Sequence, residues 1–254
     1  MNQKKQRLDL TVYERGLAPS RQRARSLIMA GKILVNRQPI DKPGAVISDK
    51  DIIELKGEDI PYVSRGGLKL SAALTAFDQD VADLVCLDVG ASTGGFTDCL
   101  LQHGARRVFA VDVGYGQLAW QLRQDPRVIV IERTNIRHMP FETVGERVHL
   151  VTIDVSFISL KIVVPAAMPF MHTGAGIIAL IKPQFEVGKG NVGKGGIVSD
   201  PNLHQAVVIR LSEFFTGLGL TVAAVVPSPI RGAKGNREFL IHLKNRRLNS
   251  ETAE

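Results

Sequence analysis

The stretch VCLDVGASTGGF (85–96) constrains this 254-residue chain more than any other. An apolar run through Val85, Cys86, Leu87 and Val89 ends in a turn carrying Gly90, Gly94 and Gly95, and a helix is predicted over 97–103, closed by Gly104. Strand, glycine turn and helix together bring backbone N–H groups and a helix N-terminus close to a nucleotide-like ligand. The spacing is G-x-x-x-G-G rather than the G-x-G-x-x-G of dinucleotide sites, so an ordinary tight strand–helix turn satisfies it too. The next predicted strand, 107–111, delivers Asp112, which lies 22 residues beyond Gly90. That is about the separation at which a carboxylate meets the ribose of a bound cofactor. A helix N-cap is the other use of an Asp at a strand end.

Five further strands are predicted over 128–132, 150–153, 177–181, 220–226 and 238–243, with helices over 117–123, 159–168 and 201–216. This alternation implies an α/β fold with a mainly parallel sheet and a ligand site beyond the strand C-termini. Gly90, Asp112, Asp154 and Lys182 all fall on that edge, and this convergence is the argument for a site. A helix over 65–77 places Lys69, Ala72, Ala73 and Ala76 on one face, where a lone lysine ordinarily reaches out to solvent. Gly188 to Lys194 fits G-x-x-x-x-G-K, but Gly195 stands where a P-loop needs Ser or Thr. Its helix starts only after Asp200-Pro201, so 186–199 reads as a flexible glycine-rich loop over the site, with Lys189 and Lys194 available to a phosphate backbone.

Hydrophobic residues make up 44% of the chain and charged residues 22%, a globular composition with room for one full α/β domain and a small companion. No apolar run approaches the ~20 residues that span a bilayer, and MNQKKQRLDL lacks the apolar core of a signal peptide. Cys86 and Cys99 form neither a disulfide framework nor a metal set. A cytoplasmic protein with reduced thiols, no bound metal, no membrane partner and no obligate protein partner is expected. The net charge of +7 is concentrated: residues 1–40 hold nine Lys and Arg against Asp9 and Glu14, while the remainder holds 23 of each sign. A neutral body with a basic head implies a polyanionic partner for the head.

In that head, Leu8, Val12 and Tyr13 are predicted on one face of a short helix, and Ser20 caps a second helix reaching Ala30 with Ala24, Leu27 and Ile28 inward. Short strands over 33–35, 45–47 and 52–55 follow, the first closed by the turn at 36–39. Residues 7–55 resemble an S4 domain, a small α+β RNA-binding fold, through Arg7-Leu8-Asp9, Gly16-Leu17-Ala18, Ser20-Arg21, Ala24, Leu27-Ile28, Gly31, Val35-Asn36, Lys42-Pro43 and Asp51. The resemblance implies that the Arg21/Arg25 helix lies against structured RNA, with Arg7 and Lys32 as further contacts, mainly to phosphates.

The body, 64–243, resembles FtsJ-like S-adenosylmethionine-dependent RNA 2′-O-methyltransferases through DVGASTGGFTD (88–98), Asp112, Asp154, Lys182-Pro183 and Glu238. The S4 segment, SRGGLKL at the junction, SFISL (156–160) and LIKPQFE followed by VGKGGIV together resemble the TlyA family, rRNA 2′-O-methyltransferases of which some carry a hemolysin label. The expected architecture is a Rossmann-like seven-stranded methyltransferase domain (65–245) behind the S4 domain (1–58), with a linker (59–64) and a polar tail (246–254). The resemblance implies a catalytic tetrad of Lys69, Asp154, Lys182 and Glu238, with Lys182 as base. It places the methionine part of S-adenosylmethionine on Gly90, Ala91, Gly94 and Gly95, its ribose on Asp112, and Asp154 beside the methyl donor. Many methyltransferases offer adenine an acidic residue after the third strand. Here the segment reads RTNIR, and Asn135 is the nearest substitute. Phe96, Phe157 and Phe185 are the aromatic residues available to stack on a base, or else they pack the core. The implied partner is ribosomal RNA or a ribosomal subunit. An RNA-binding module with an inactive body, a membrane-lytic protein and an NAD-dependent enzyme are the competing readings.

Overall fold

Residues 5–18, 20–56 and 60–245 are described by the computed structural model, without the side chains of Lys189 and Ala233. The expected polar tail, 246–254, and part of the expected linker lie outside them. The chain divides between Pro61 and Tyr62 into two compact units.

In the first unit β1 (Lys5–Arg7), α1 (Leu8–Glu14), α2 (Arg21–Met29), β2 (Ile33–Val35), β3 (Gln38–Pro39), β4 (Val46–Ser48) and β5 (Ile53–Leu55) follow one another. Leu8 and Val12, one helical turn apart, are buried with Ala24, Leu27 and Ile28. Tyr13 is a further 100° round the helix and half exposed, so it does not share their face. The Ser20 hydroxyl accepts from Arg23 N at 3.1 Å, the N-cap bond that starts α2. Asn36 and Arg37 both adopt positive φ, which gives the tight turn between β2 and β3. The strand β1, paired antiparallel with β4, was not predicted from the sequence, because three polar residues carry no periodic signal.

The second unit runs α3 (Gly66–Ala76), β6 (Val85–Val89), α4 (Gly95–Gln102), β7 (Arg107–Val111), α5 (Trp120–Arg123), β8 (Val128–Ile131), β9 (Val148–Ile153), α6 (Leu160–Ala167), β10 (Met171–Ile181), α7 (Pro201–Gly217), β11 (Leu220–Pro227) and β12 (Phe239–Asn245). All seven strands join one sheet in the order β11-β12-β10-β9-β6-β7-β8. β6 to β10 run parallel, and β12 lies antiparallel between β10 and β11. β10 begins six residues before the predicted strand. Its first half, MHTGAG, breaks the apolar run, and its pairing with β9 shifts register between Met171 and Gly176. The helix expected over 117–123 shrinks to the four residues of α5.

β6 is buried along its whole length, as a central parallel strand requires. It carries Asp88, fully buried, whose two carboxylate oxygens accept from Thr97 Oγ1 at 2.7 Å and Thr152 Oγ1 at 2.9 Å. Burial lifts this carboxyl to about 6, against the hydroxyl bonds that pull it down, and the nearby Asp154 charge adds to the rise. The native state therefore keeps a proton that the unfolded chain releases above its ordinary 3.8. Between pH 4 and pH 6 native stability falls by up to about 3 kcal/mol through this group, and the loss is constant above that window. Asp88→Asn has no such proton. Denaturant midpoints measured from pH 4 to pH 8 are expected to show the variant gaining on wild type across that interval. A difference that stays flat would mean that Asp88 titrates like an exposed carboxyl.

Candidate active site

Gly90, Asp112, Asp154 and Lys182 each follow the last residue of a parallel strand (β6, β7, β9 and β10) and so stand on one edge of the sheet. Glu238 joins them from the other direction, because it immediately precedes the antiparallel β12. Lys69 comes from α3, on the face that also buries Leu70 and Ala73.

Two ion pairs organise the edge. Lys69 Nζ lies 2.6 Å from Glu238 Oε2, with the carboxylate side chain only 3% exposed. The lysine that spacing alone would send to solvent is held inward by this charge. Lys182 Nζ lies 2.6 Å from Asp154 Oδ1 and donates to Ser156 Oγ at 3.0 Å. The Asp154 contact is a close ion pair without hydrogen-bond alignment, which leaves that oxygen free of any directed bond. Lys69, Asp154, Ser156 and Lys182 line one cavity of about 350 Å³, together with Arg65, Gly90, Gly95, Phe96 and Arg231. Glu238 stands behind that wall, against Gly232, where a Cβ would come within 2.0 Å of its Oε1.

A second cavity, of about 510 Å³, adjoins the first and shares Gly90, Ser92, Asp154 and Ser156 with it. Val89, Val111, Val113, Ile136, Ile158 and Val163 give it apolar walls, and Asp112, Gln117, Thr134 and Asn135 add polar groups to those it shares with the first cavity. Asp112 is fixed by two backbone donors, Ser92 N to Oδ2 at 2.8 Å and Gly114 N to Oδ1 at 2.7 Å. A carboxylate has about four acceptor positions, so two remain for a ligand. Asn135 Oδ1 already accepts from Arg137 N at 3.1 Å and Arg137 Nε at 3.3 Å.

The glycines divide by function. Gly90 has φ +86°, and a Cβ there would lie 2.5 Å from the carbonyl oxygen of Asp154, so the turn closes only without a side chain. Ala91 and Gly95 line the 350 Å³ cavity. Gly94, at φ +98°, lies on neither cavity wall, and a Cβ there would strike the Leu122 side chain at 2.2 Å. Its glycine serves the packing of α5.

Of the three aromatic candidates Phe96 is buried, whereas Phe157 is 90% exposed. Phe157 also adopts φ +65°, a rare conformation for a bulky residue, and its ring lies 5.0 Å from that of Phe185. It lines the larger cavity at the sheet edge. No described residue of 186–199 lines either cavity, and Lys194 is exposed to solvent. That segment is tied down by buried Asn236, which accepts from Val198 N at 3.0 Å and donates to Gly196 O at 2.9 Å. Burial pushes both cysteine thiols up to about 12, which removes them from nucleophilic chemistry.

In the first unit Arg21 and Arg25 line one shallow cavity with Gln22, Ser26 and Met29, as their spacing on α2 predicts. Arg7 and Arg21 both clasp Asp9, which is fully buried, at 3.0 and 3.1 Å. Half of each arginine side chain remains exposed beyond that clasp. Lys32 is half-buried at the end of the turn after α2.

Comparison with known proteins places the chain in a family. The family model for an FtsJ-like methyltransferase matches residues 62–245, and that for an S4 domain matches residues 6–53. The chain is 48% identical over 239 residues to the 16S/23S rRNA (cytidine-2′-O)-methyltransferase TlyA of Mycobacterium tuberculosis, covering 94% of this chain and 89% of that one. It is 41% identical over 237 residues to Hemolysin A of Brachyspira hyodysenteriae, covering 93% and 98%. A solved Streptococcus thermophilus protein, described only provisionally as a hemolysin, matches with a TM-score of 0.74 at 44% identity and covers 96% of this chain and 90% of that one. The chain thus belongs to the TlyA family, in which an S4 domain precedes an FtsJ-like methyltransferase domain.

Proposed function

We propose that the protein transfers a methyl group from S-adenosylmethionine to a ribose 2′-hydroxyl of ribosomal RNA, with Lys182 as the base. The observation that carries this reading is the meeting of two lysine–carboxylate pairs on a cavity wall that shares Gly90 and Asp154 with a second, apolar cavity. Two adjoining chambers with a shared wall fit the ribose and adenine of a cofactor on one side and a nucleotide on the other, with the methionine part crossing between them at Gly90.

The residues present fit the cofactor. Asp112 would take the ribose hydroxyls, Gly90, Ala91 and Gly95 would face the methionine part, and the apolar walls would take the adenine. Asn135 would meet the adenine through Nδ2, because Arg137 occupies its oxygen, and this suits a ring nitrogen rather than the exocyclic amine. When bound, S-adenosylmethionine supplies an electrophilic methyl group on a sulfonium.

A ribose 2′-hydroxyl is a weak acid, so its proton must leave as the carbon–oxygen bond forms. Lys182 Nζ, in its neutral form, takes that proton, oriented by Asp154 and Ser156. Lys69 faces the same cavity as a cation held by Glu238 and offsets the negative charge that develops on oxygen. Fixing the hydroxyl in line with the methyl group supplies much of the acceleration. Phe157 offers the target base an exposed ring face at the cavity edge. In the S4 domain Arg21 and Arg25 contact RNA phosphates, with Arg7 and Lys32 as further basic contacts, and the exposed Lys194 of the methyltransferase domain adds another.

No helix among the described residues is long and apolar enough to cross a membrane. The deciding experiment is transfer of labelled methyl from S-adenosylmethionine to rRNA and to isolated ribosomal subunits from cells lacking the protein. Label on ribose 2′-oxygen is expected. Cofactor binding with no label on any RNA would sink the enzymatic reading and leave an RNA-binding module.

A further inference from the structure

The 350 Å³ cavity contains more positive charge than its two ion pairs account for. Lys69 is neutralised by Glu238, and Lys182 by Asp154. Arg65 and Arg231 line the same wall, both exposed, and neither forms an ion pair among the described residues. Each guanidinium is held by a carbonyl instead: Arg65 Nη2 donates to Arg231 O at 3.2 Å, and Arg231 Nη1 donates to Gly235 O at 3.0 Å. Both therefore keep donors and a full positive charge for something in the cavity.

Their supports are fixed parts of the fold. Arg65 is the N-cap residue of α3, whose eleven residues place the positive end of a helix dipole beside Ser64 and Gly66 on the cavity wall. Arg231 sits on the turn that backs Glu238. In that turn Gly232 N donates to Asn236 O at 2.9 Å and Gly235 N donates to Gly232 O at 3.0 Å. Asn236 in turn is buried and bonded to Gly196 and Val198.

A ribose within an RNA chain carries one phosphodiester on each side, two negative charges in all. That matches the two unpaired guanidinium groups beside the catalytic lysines. We propose that Arg65 and Arg231 clamp the phosphodiesters flanking the target ribose and so set the position of its 2′-hydroxyl. The inference rests on the 2′-O-methyltransferase reading and adds a substrate subsite to it. The contacts are to backbone, so they position the nucleotide without reading its base.

The test compares wild type with Arg65→Gln, Arg231→Gln and the double variant. Methyl transfer to rRNA is followed across a salt series, with cofactor affinity measured by titration. In the double variant KM for RNA should rise about tenfold or more, and by more than kcat falls, with cofactor affinity unchanged. Each lost phosphate contact should also lower the slope of log affinity against log salt by about one. Unchanged KM and slope in an active enzyme would overturn the clamp. So would weakened cofactor binding at constant KM for RNA, which would assign the arginines to the methionine carboxylate. If wild type transfers no methyl group, the methyltransferase reading fails first. The salt slope of RNA binding, compared between wild type and the double variant, then still decides the clamp.

Discussion

Lys182→Ala is expected to lose methyl transfer by about 10³-fold or more in kcat while still binding S-adenosylmethionine. The expected size follows from the proposed role, because general bases contribute roughly 10²–10⁴-fold. Cofactor binding should survive, since the groups proposed for the ribose and adenine line the larger cavity and Lys182 is near only the methionine end, at Ala91 and Gly95. The fold should survive as well. Asp154, the partner left behind, is 21% exposed and lines the cavity, so water can enter the space the lysine vacates and solvate its charge. A small primary amine added to the alanine variant is expected to restore part of the rate, because the missing group is an amine in an open cavity. The check is single-turnover transfer beside a cofactor titration. A variant that keeps more than about a tenth of the wild-type rate would move the base to another residue.

The sheet edge was legible because each parallel strand is a short apolar run that ends at a glycine or a charged residue. Gly90, Asp112, Asp154 and Lys182 were placed by that rule alone, and all four line the two cavities. Lys69 was not legible in this way. Its spacing on α3 matches a lysine that reaches solvent, and what holds it inward is Glu238, 169 residues away. No local pattern carries a contact of that separation, so the tetrad came from the family resemblance. The same limit hid the partners of Asp88. It is bonded by Thr97, nine residues on, and Thr152, 64 residues on. Gly94 was grouped with the cofactor glycines by the family resemblance, and the room that its missing side chain leaves for Leu122 is a packing requirement that no local pattern carried. Arg65 and Arg231 are 166 residues apart, and their common cavity became visible only when α3 and the turn before β12 were brought together.

Lys69→Met should cost the protein both its activity and roughly 3–5 kcal/mol of stability, because it leaves the Glu238 carboxylate buried without its counter-charge. The two losses have different causes, and a second substitution separates them. Replacing Glu238 by Gln in the same chain removes the stranded charge, so Lys69→Met/Glu238→Gln is expected to recover most of the stability. It should recover no methyl transfer, because the cation facing the developing alkoxide is still missing. Glu238→Gln alone should keep Lys69 in the cavity but release it from its ion pair, giving an intermediate loss of rate. Denaturant unfolding and methyl transfer, measured on the same four proteins, make the comparison. If the double variant regained transfer together with stability, Lys69 would be a structural partner of Glu238 and nothing more. If Lys69→Met were as stable as wild type, the charge on Glu238 would have to be met elsewhere. Gly232, packed against Glu238 Oε1, offers no side chain to meet it. Stability restored without activity is the outcome expected from the proposed role, since the pair is buried on its Glu238 side and lines the cavity on its Lys69 side.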